Sequence, residues 1–390
     1  MNVHLGTVAG EPSGDLLMAR VLQGLSAQLT EPRYEGIGGP AMVKQGLNCW
    51  HDMQALSVFG YVDALKRLPQ LLSIYTQVKR RWLAQPPQVF VGVDAPDFNL
   101  RLELALRKAG IPTVHFVSPS IWAWRYERIE KIRQAVSHML VLFPFEEALY
   151  QEEGVPATYV GHPLAQQIPL QPDQKASRAA LGLNLDDPIL ALLPGSRLSE
   201  IKLLAPRFLE TVKILQRREP SLKVVVPMVN QSVRSEFDRL LAKQSVANLT
   251  VLQQDPAADR PVSWDALQAC DAVLAASGTA TLEAALFKRP MVISYVLSPA
   301  MRHLMAWRSG QKKPLTPWVG LPNILLNDFV VPELLQEEAQ PENLANACWR
   351  ALFDTEYVKQ TVAQFYDLHK SLSRDTARLA ADVILEIAQR

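Results

Sequence analysis

The chain has 390 residues, 48% of them apolar, which excludes disorder and exceeds one ordinary core, so two globular domains are expected. Its 40 Lys and Arg nearly balance 39 Asp and Glu, which argues against a general nucleic-acid binder. Cys49, Cys270 and Cys348 lie far apart without ligand spacing, and no apolar run reaches the roughly 18 residues that span a bilayer. A disulfide framework, a zinc site and a membrane span are therefore not expected, and a reducing, cytoplasmic setting fits best.

Taken in order, Val3 to Ala9 reads as a strand, followed by Gly10-Glu11-Pro12-Ser13-Gly14-Asp15 and an apolar-periodic helix from Leu16 to about Leu29. A glycine-rich turn between strand and helix leaves N–H groups free for a phosphate or sugar, although a purely structural turn would look the same. Arg33 to Ile37 is a second strand, ending at Gly38-Gly39-Pro40. From Leu56 to Tyr75 the apolar residues Leu56, Val58, Phe59, Val62, Leu65, Leu68, Leu71 and Leu72 exceed one buried stripe. Lys66, Arg67, Lys79, Arg80 and Arg81 accompany them, a pattern suited to a membrane surface or equally to a core helix with a solvated edge.

Val89-Phe90-Val91-Gly92-Val93 is a strand buried on both faces, ending on Asp94. Ligands of open α/β sheets bind beyond the carboxyl ends of strands, so Asp94 is the leading candidate for a catalytic group, against a plain turn or capping role. Asp97, just before the helix-like Asn99 to Lys108, suits capping better. Strands follow at Thr113 to Val117, His138 to Phe143 and Thr158 to Val160. Between the first two, the loop with Trp122 and Trp124 suits either core or the wall of a sugar or lipid site. Around Gly161-His162-Pro163 and Gln171-Pro172-Asp173 the pattern turns polar and Pro-rich, the expected connection between domains.

The second half alternates strand and helix again, with strands at Ile189 to Leu193, Leu222 to Val226, Leu249 to Leu252, Ala272 to Ala276 and Met291 to Tyr295. That pattern means a second parallel sheet with covered faces. Gly195-Ser196-Arg197 follows the first of these strands, where Gly admits a ligand to the backbone and Arg can bind a diphosphate bidentately. Ser277-Gly278-Thr279 opens a later helix whose N-terminus favours anions, with Glu283 one turn in, placed to reach a ribose. The basic and aromatic run Met301 to Lys313 suits a lipid headgroup or a solvated loop, and Asp375 to Gln389 is an amphipathic helix able to pack on either domain.

Together with Val117-Ser118-Pro119-Ser120-Ile121-Trp122-Ala123-Trp124-Arg125 and Leu321-Pro322-Asn323, these strings in this order resemble the lipid-A-disaccharide synthase family over essentially the whole chain. One departure is Pro12, where the family often carries Thr. The resemblance implies two Rossmann-like parallel-sheet domains of GT-B type facing each other across a cleft. Residues 1–165 would form the acceptor and membrane side, 166–365 the UDP-sugar donor side, and 366–390 a helix packing back. It implies a metal-free, cofactor-free inverting glycosyltransferase at the cytoplasmic face of the inner membrane. This enzyme would join UDP-2,3-diacylglucosamine to 2,3-diacylglucosamine 1-phosphate, giving a β-1,6-linked disaccharide and UDP. By the same resemblance Asp94 would be the base and Arg197 would stabilise the leaving UDP. Glu283 would hold the ribose, Asn323 would lie near the UDP, Gly10, Glu11 and Ser13 would line the crevice, and a homodimer exchanging C-terminal parts is implied as an option. Two other classes stay compatible with the motifs: a UDP-N-acetylglucosamine epimerase of the same architecture, and a non-catalytic UDP-sugar-binding protein at the membrane.

Overall fold

A computed structural model describes residues 3–56, 61–258, 260–297 and 315–389, without the side chains of 61–67. The chain divides into two units, Met1–Gln166 with Leu372–Arg390, and Gln167–Ser371.

The first unit is built on a seven-stranded parallel sheet. In chain order its strands are β1 (His4–Ala9), β2 (Arg33–Gly38), β3 (Leu47–Asp52), β4 (Val89–Val93), β5 (Thr113–Phe116), β6 (His138–Val141) and β7 (Ala157–Tyr159). Their spatial order is β3-β2-β1-β4-β5-β6-β7, so the direction of winding reverses between β1 and β4. Every residue of β4 is buried, because helices cover both faces of the sheet. On one face the helix Pro12–Ser26 packs with the C-terminal helix Thr376–Ala388, which sends Ala380, Ala381, Ile384 and Ile387 into the core. On the other, Ile74, Val78 and Trp82 of the helix Tyr61–Ala84 meet Phe90, Leu102 and Leu106, a four-residue spacing that aligns one helical face.

The second unit repeats the plan with β8 (Ile189–Leu193), β9 (Lys223–Met228), β10 (Leu249–Gln253), β11 (Ala272–Ala276), β12 (Met291–Tyr295) and β13 (Glu333–Leu335). The order β10-β9-β8-β11-β12-β13 again reverses, between β8 and β11. Ile201, Leu204, Phe208, Val212 and Leu215 of the helix Leu198–Arg218 form the helical stripe that buries this sheet.

Two strands escape the sequence reading, β3 and β13, and both are sheet edges. A half-covered edge carries no continuous apolar run, as Leu-Asn-Cys-Trp-His-Asp in β3 illustrates. The first helix begins at Pro12 and not at Leu16, so the turn after β1 is only Gly10-Glu11. Pro12 there occupies the opening position, where its missing N–H costs nothing. Among the described residues no helix is long and apolar enough to cross a membrane. The run Met301 to Lys313 lies outside the described residues.

Candidate active site

Ligand sites of open α/β sheets form where the winding reverses, and each unit has one such point. In the first unit, Gly10 directly follows β1 and Asp94 directly follows its neighbour β4. A Cβ on Gly10 would stand 2.8 Å from the Cβ of Ala95, so only glycine lets the two strand ends come this close. Asp94 and Ala95 both adopt left-handed backbone, with φ of 52° and 43°, which L-residues rarely do. Asn99 holds that bend: its amide donates to the carbonyls of Asp94 at 2.8 Å and of Val93 and Val8 at 3.3 Å. Asp94 remains half-exposed at the end of the strand, its Oδ1 accepting the Ala95 N–H at 2.9 Å. Partial desolvation and, after it, the Asp94 charge raise the Glu11 carboxyl above its usual range, so the two acids are electrostatic neighbours. Ser13 is exposed on the first helical turn.

The other acids nearby are structural. Asp15 is buried and accepts the N–H groups of Gly39, Met42 and Ala41 at 2.8, 3.1 and 3.0 Å. Asp97 is not the helix cap, which is Ala95; it lies in the first turn and pairs with Arg128 at 2.9 Å.

In the second unit Gly195, Ser196, Arg197, Ser277, Gly278, Thr279 and Glu283 line one pocket of about 380 Å³, at the β8/β11 reversal. Glu200, which the sequence reading did not single out, also lines it. Its Oε2 accepts the N–H groups of Ser196 and Arg197 at 2.9 and 3.2 Å, and its Oε1 the Arg197 guanidinium at 3.0 Å. An acid three residues into a helix is the only sequence signal for it. Burial raises the Glu283 carboxyl, opposed by the Ser263 hydroxyl that donates to it at 3.3 Å.

Asn323, expected near the UDP, sits behind the pocket. It does not line this pocket and is fully buried, its amide donating to Val331 O and Glu333 Oε1 while its oxygen accepts from Val330 and Val331 N, all at 2.9 Å. Glu333 in turn accepts the N–H groups of Val319 and Gly320, and Ser277 donates to Val319 O at 3.4 Å. Asn323 thus braces the segment against which the Ser277 loop rests. Trp122 is likewise core, its indole N–H donating to buried Glu146 at 3.0 Å, so it does not wall a ligand site.

Among the acyl- and membrane-face candidates, Val58 and Phe59 lie outside the described residues, as do the side chains of Val62 and Leu65. Leu56 is half-buried against the core, Leu71 is half-exposed, and Leu68 and Leu72 are 50% and 42% exposed.

The family model described as Lipid-A-disaccharide synthetase matches residues 6–387. The chain belongs to the lipid-A-disaccharide synthase family. Proteins of that name from Bordetella petrii and Paraburkholderia xenovorans are 64% and 48% identical to it, each match covering 100% of this chain and 99% or 97% of the relative. Among solved structures, a UDP-GlcNAc 2-epimerase from Neisseria meningitidis bound to UDP-GlcNAc aligns with a TM-score of 0.64 at 12% identity, over 99% of this chain and 100% of that one. The glycotransferase of kitacinnamycin aligns at 0.59 and 14%, over 99% of both chains. At such identities the likeness bears on the fold alone, which is the GT-B class of two parallel-sheet units. Beside lipid-A-disaccharide synthases that are half to two-thirds identical over full length, the epimerase alternative is only a distant structural match.

Proposed function

We propose that this chain is an inverting glycosyltransferase that makes the lipid A disaccharide, transferring 2,3-diacylglucosamine from its UDP donor to 2,3-diacylglucosamine 1-phosphate. The observation that carries the reading is the full-length family match; the pocket at the β8/β11 reversal adds the chemistry. In the second unit Arg197 and the helix opened by Gly278 and Thr279 meet the diphosphate, with Glu283 on the ribose side. In the first unit Asp94 takes the proton from the acceptor 6-hydroxyl. That oxygen bonds to the anomeric carbon while the bond to UDP breaks, and the charge gathered on UDP is stabilised by Arg197 and the helix N-terminus. Oδ1 of Asp94 is already committed to the Ala95 N–H, so Oδ2 is the atom assigned to the proton.

Exposed Leu68 and Leu72, with the neighbouring cations, support attachment to the cytoplasmic face of the inner membrane, where both lipid substrates reside. If chains pair by exchanging C-terminal parts, the helix Thr376–Ala388 gives a partner the contacts it makes here.

Incubating the protein with both lipids and reading the products by mass tests the reading, and a disaccharide plus UDP is expected. Asp94→Asn should lower turnover by about 10²–10⁴-fold with UDP binding kept. Turnover near the wild-type level in that variant rejects the base assignment, and UDP-sugar consumed without a lipid acceptor points to an epimerase.

A further inference from the structure

We propose that Glu200 is a built-in rival of the ligand's diphosphate, occupying the donors that a phosphate would use and so setting the affinity of the second unit's pocket. This rests on reading that pocket as a UDP site.

An acid at the third position of a helix ordinarily reaches back to one N–H of its own cap. Glu200 does more. One of its oxygens collects two successive backbone donors, Ser196 at 2.9 Å and Arg197 at 3.2 Å, while the other takes the Arg197 guanidinium at 3.0 Å. Successive N–H groups converging on one oxygen, with a cation beside them, make the arrangement that binds phosphate. Here a carboxylate of the same chain fills it.

Gly195 is shaped to this occupant. Its φ is 121°, and a Cβ there would lie 2.4 Å from the Cβ and 2.5 Å from the Oε2 of Glu200. The glycine therefore makes room for the carboxylate, beyond any ligand it also admits. Glu200 is only 14% exposed, whereas the Arg197 side chain is 77% exposed, so the acid and not burial holds the arginine. A diphosphate contacting Ser196, Arg197 and the guanidinium must displace the Glu200 carboxylate, since two anions cannot share the same few hydrogens. A nucleoside without phosphates has no such conflict.

The test is calorimetric titration of the full chain and its Glu200→Gln variant with UDP and with uridine at one ionic strength. Glutamine keeps the length and one oxygen that can still close the helix start, while the charge and the second acceptor, the one facing the Arg197 guanidinium, are lost. UDP should bind the variant roughly ten-fold more tightly, the order by which one charge-assisted hydrogen bond changes an equilibrium, with uridine unchanged. UDP binding that is equal or weaker in the variant overturns the proposal, because Glu200 would then organise the loop and not compete. An equal gain for uridine overturns it too. If the wild-type chain and the variant both fail to bind UDP, the UDP reading itself falls. Should Glu200→Gln not fold, Glu200→Asp replaces it: the acid one methylene shorter is drawn back from the Ser196 N–H, and the same comparison of UDP with uridine decides.

Discussion

At the scale of single residues, the side chains least legible in the sequence are the buried polar ones behind the site. Nothing in Trp122 or Glu146 as letters says that they meet, because they come together only when β5 and β6 lie side by side. Their pairing has a consequence in pH. Burial lifts the Glu146 carboxyl to about 7, against the hydrogen bonds from Trp122 and Phe143, and burial lowers His162, stacked on Phe143, to about 4. A carboxyl raised in the fold keeps its proton there after the unfolded chain has lost it, so its contribution falls between pH 4.5 and 7. The histidine does the opposite, and its contribution rises between pH 4 and 6.5. Each amounts to about 3 kcal/mol, so the two nearly cancel below pH 6.5, and above it only the Glu146 loss remains. Glu146→Gln removes the titration and keeps one of the two acceptor oxygens, since Trp122 and Phe143 donate to different oxygens of the carboxyl. Denaturant melts of the first unit should then show stability rising from pH 4.5 to 6.5, with the wild-type decline toward pH 7.5 reduced. Parallel profiles for variant and wild type would show that Glu146 is not protonated in the fold. The position of Asp94, by contrast, is legible, since an acid directly after a doubly buried strand falls at its carboxyl end. Its left-handed backbone and the Asn99 brace are not.

At the scale of elements, strands covered on both faces announce themselves by composition, as β1, β4, β8 and β11 do, while the edge strands β3 and β13 need their neighbours to be seen. The two loops of the second pocket were legible for a related reason: small and glycine residues directly after an apolar run have no use in a core. Glu200 was not, because capping and ligand competition share one letter. The helix Tyr61–Ala84 is an intermediate case, its excess of apolar residues visible but not their division. The structure makes that division: Ile74, Val78 and Trp82 enter the core, and Leu68 and Leu72, one turn apart, face solvent. Fully burying a large apolar side chain contributes about 1.5–3 kcal/mol, and about half of each leucine is still exposed, so this pair can add roughly 1.5–3 kcal/mol to membrane attachment. Leu68→Ser with Leu72→Ser should therefore cut sedimentation with anionic vesicles strongly while leaving the melting temperature within a few degrees. Salt should weaken the wild-type attachment only in part, because apolar burial is not screened. Unchanged sedimentation of a folded double variant removes this face from the membrane.

At the scale of the whole molecule, the two units differ in how the chain encloses them. The second is one continuous stretch, Gln167–Ser371, whereas the first needs residues from both ends of the sequence. Ile384 and Ile387 are 0% and 5% exposed in the first core, where they pack with the helix Pro12–Ser26. At about 1.5–3 kcal/mol each these two side chains contribute roughly 3–6 kcal/mol, a large share of the 5–15 kcal/mol by which a domain is ordinarily stable. Ending the chain at Leu372 should accordingly unfold the first unit or leave it marginal, with the core of the second, including Phe208 and Leu344, untouched. Calorimetry on the truncated chain should retain one cooperative transition, and UDP should raise its temperature if the pocket at the β8/β11 reversal is the donor site. Ile384→Ala supplies the graded version: a loss of about 2–5 kcal/mol confined to the first unit's transition. A truncated chain that keeps two transitions at their original temperatures would mean that the C-terminal helix is packed on the first core without holding it together.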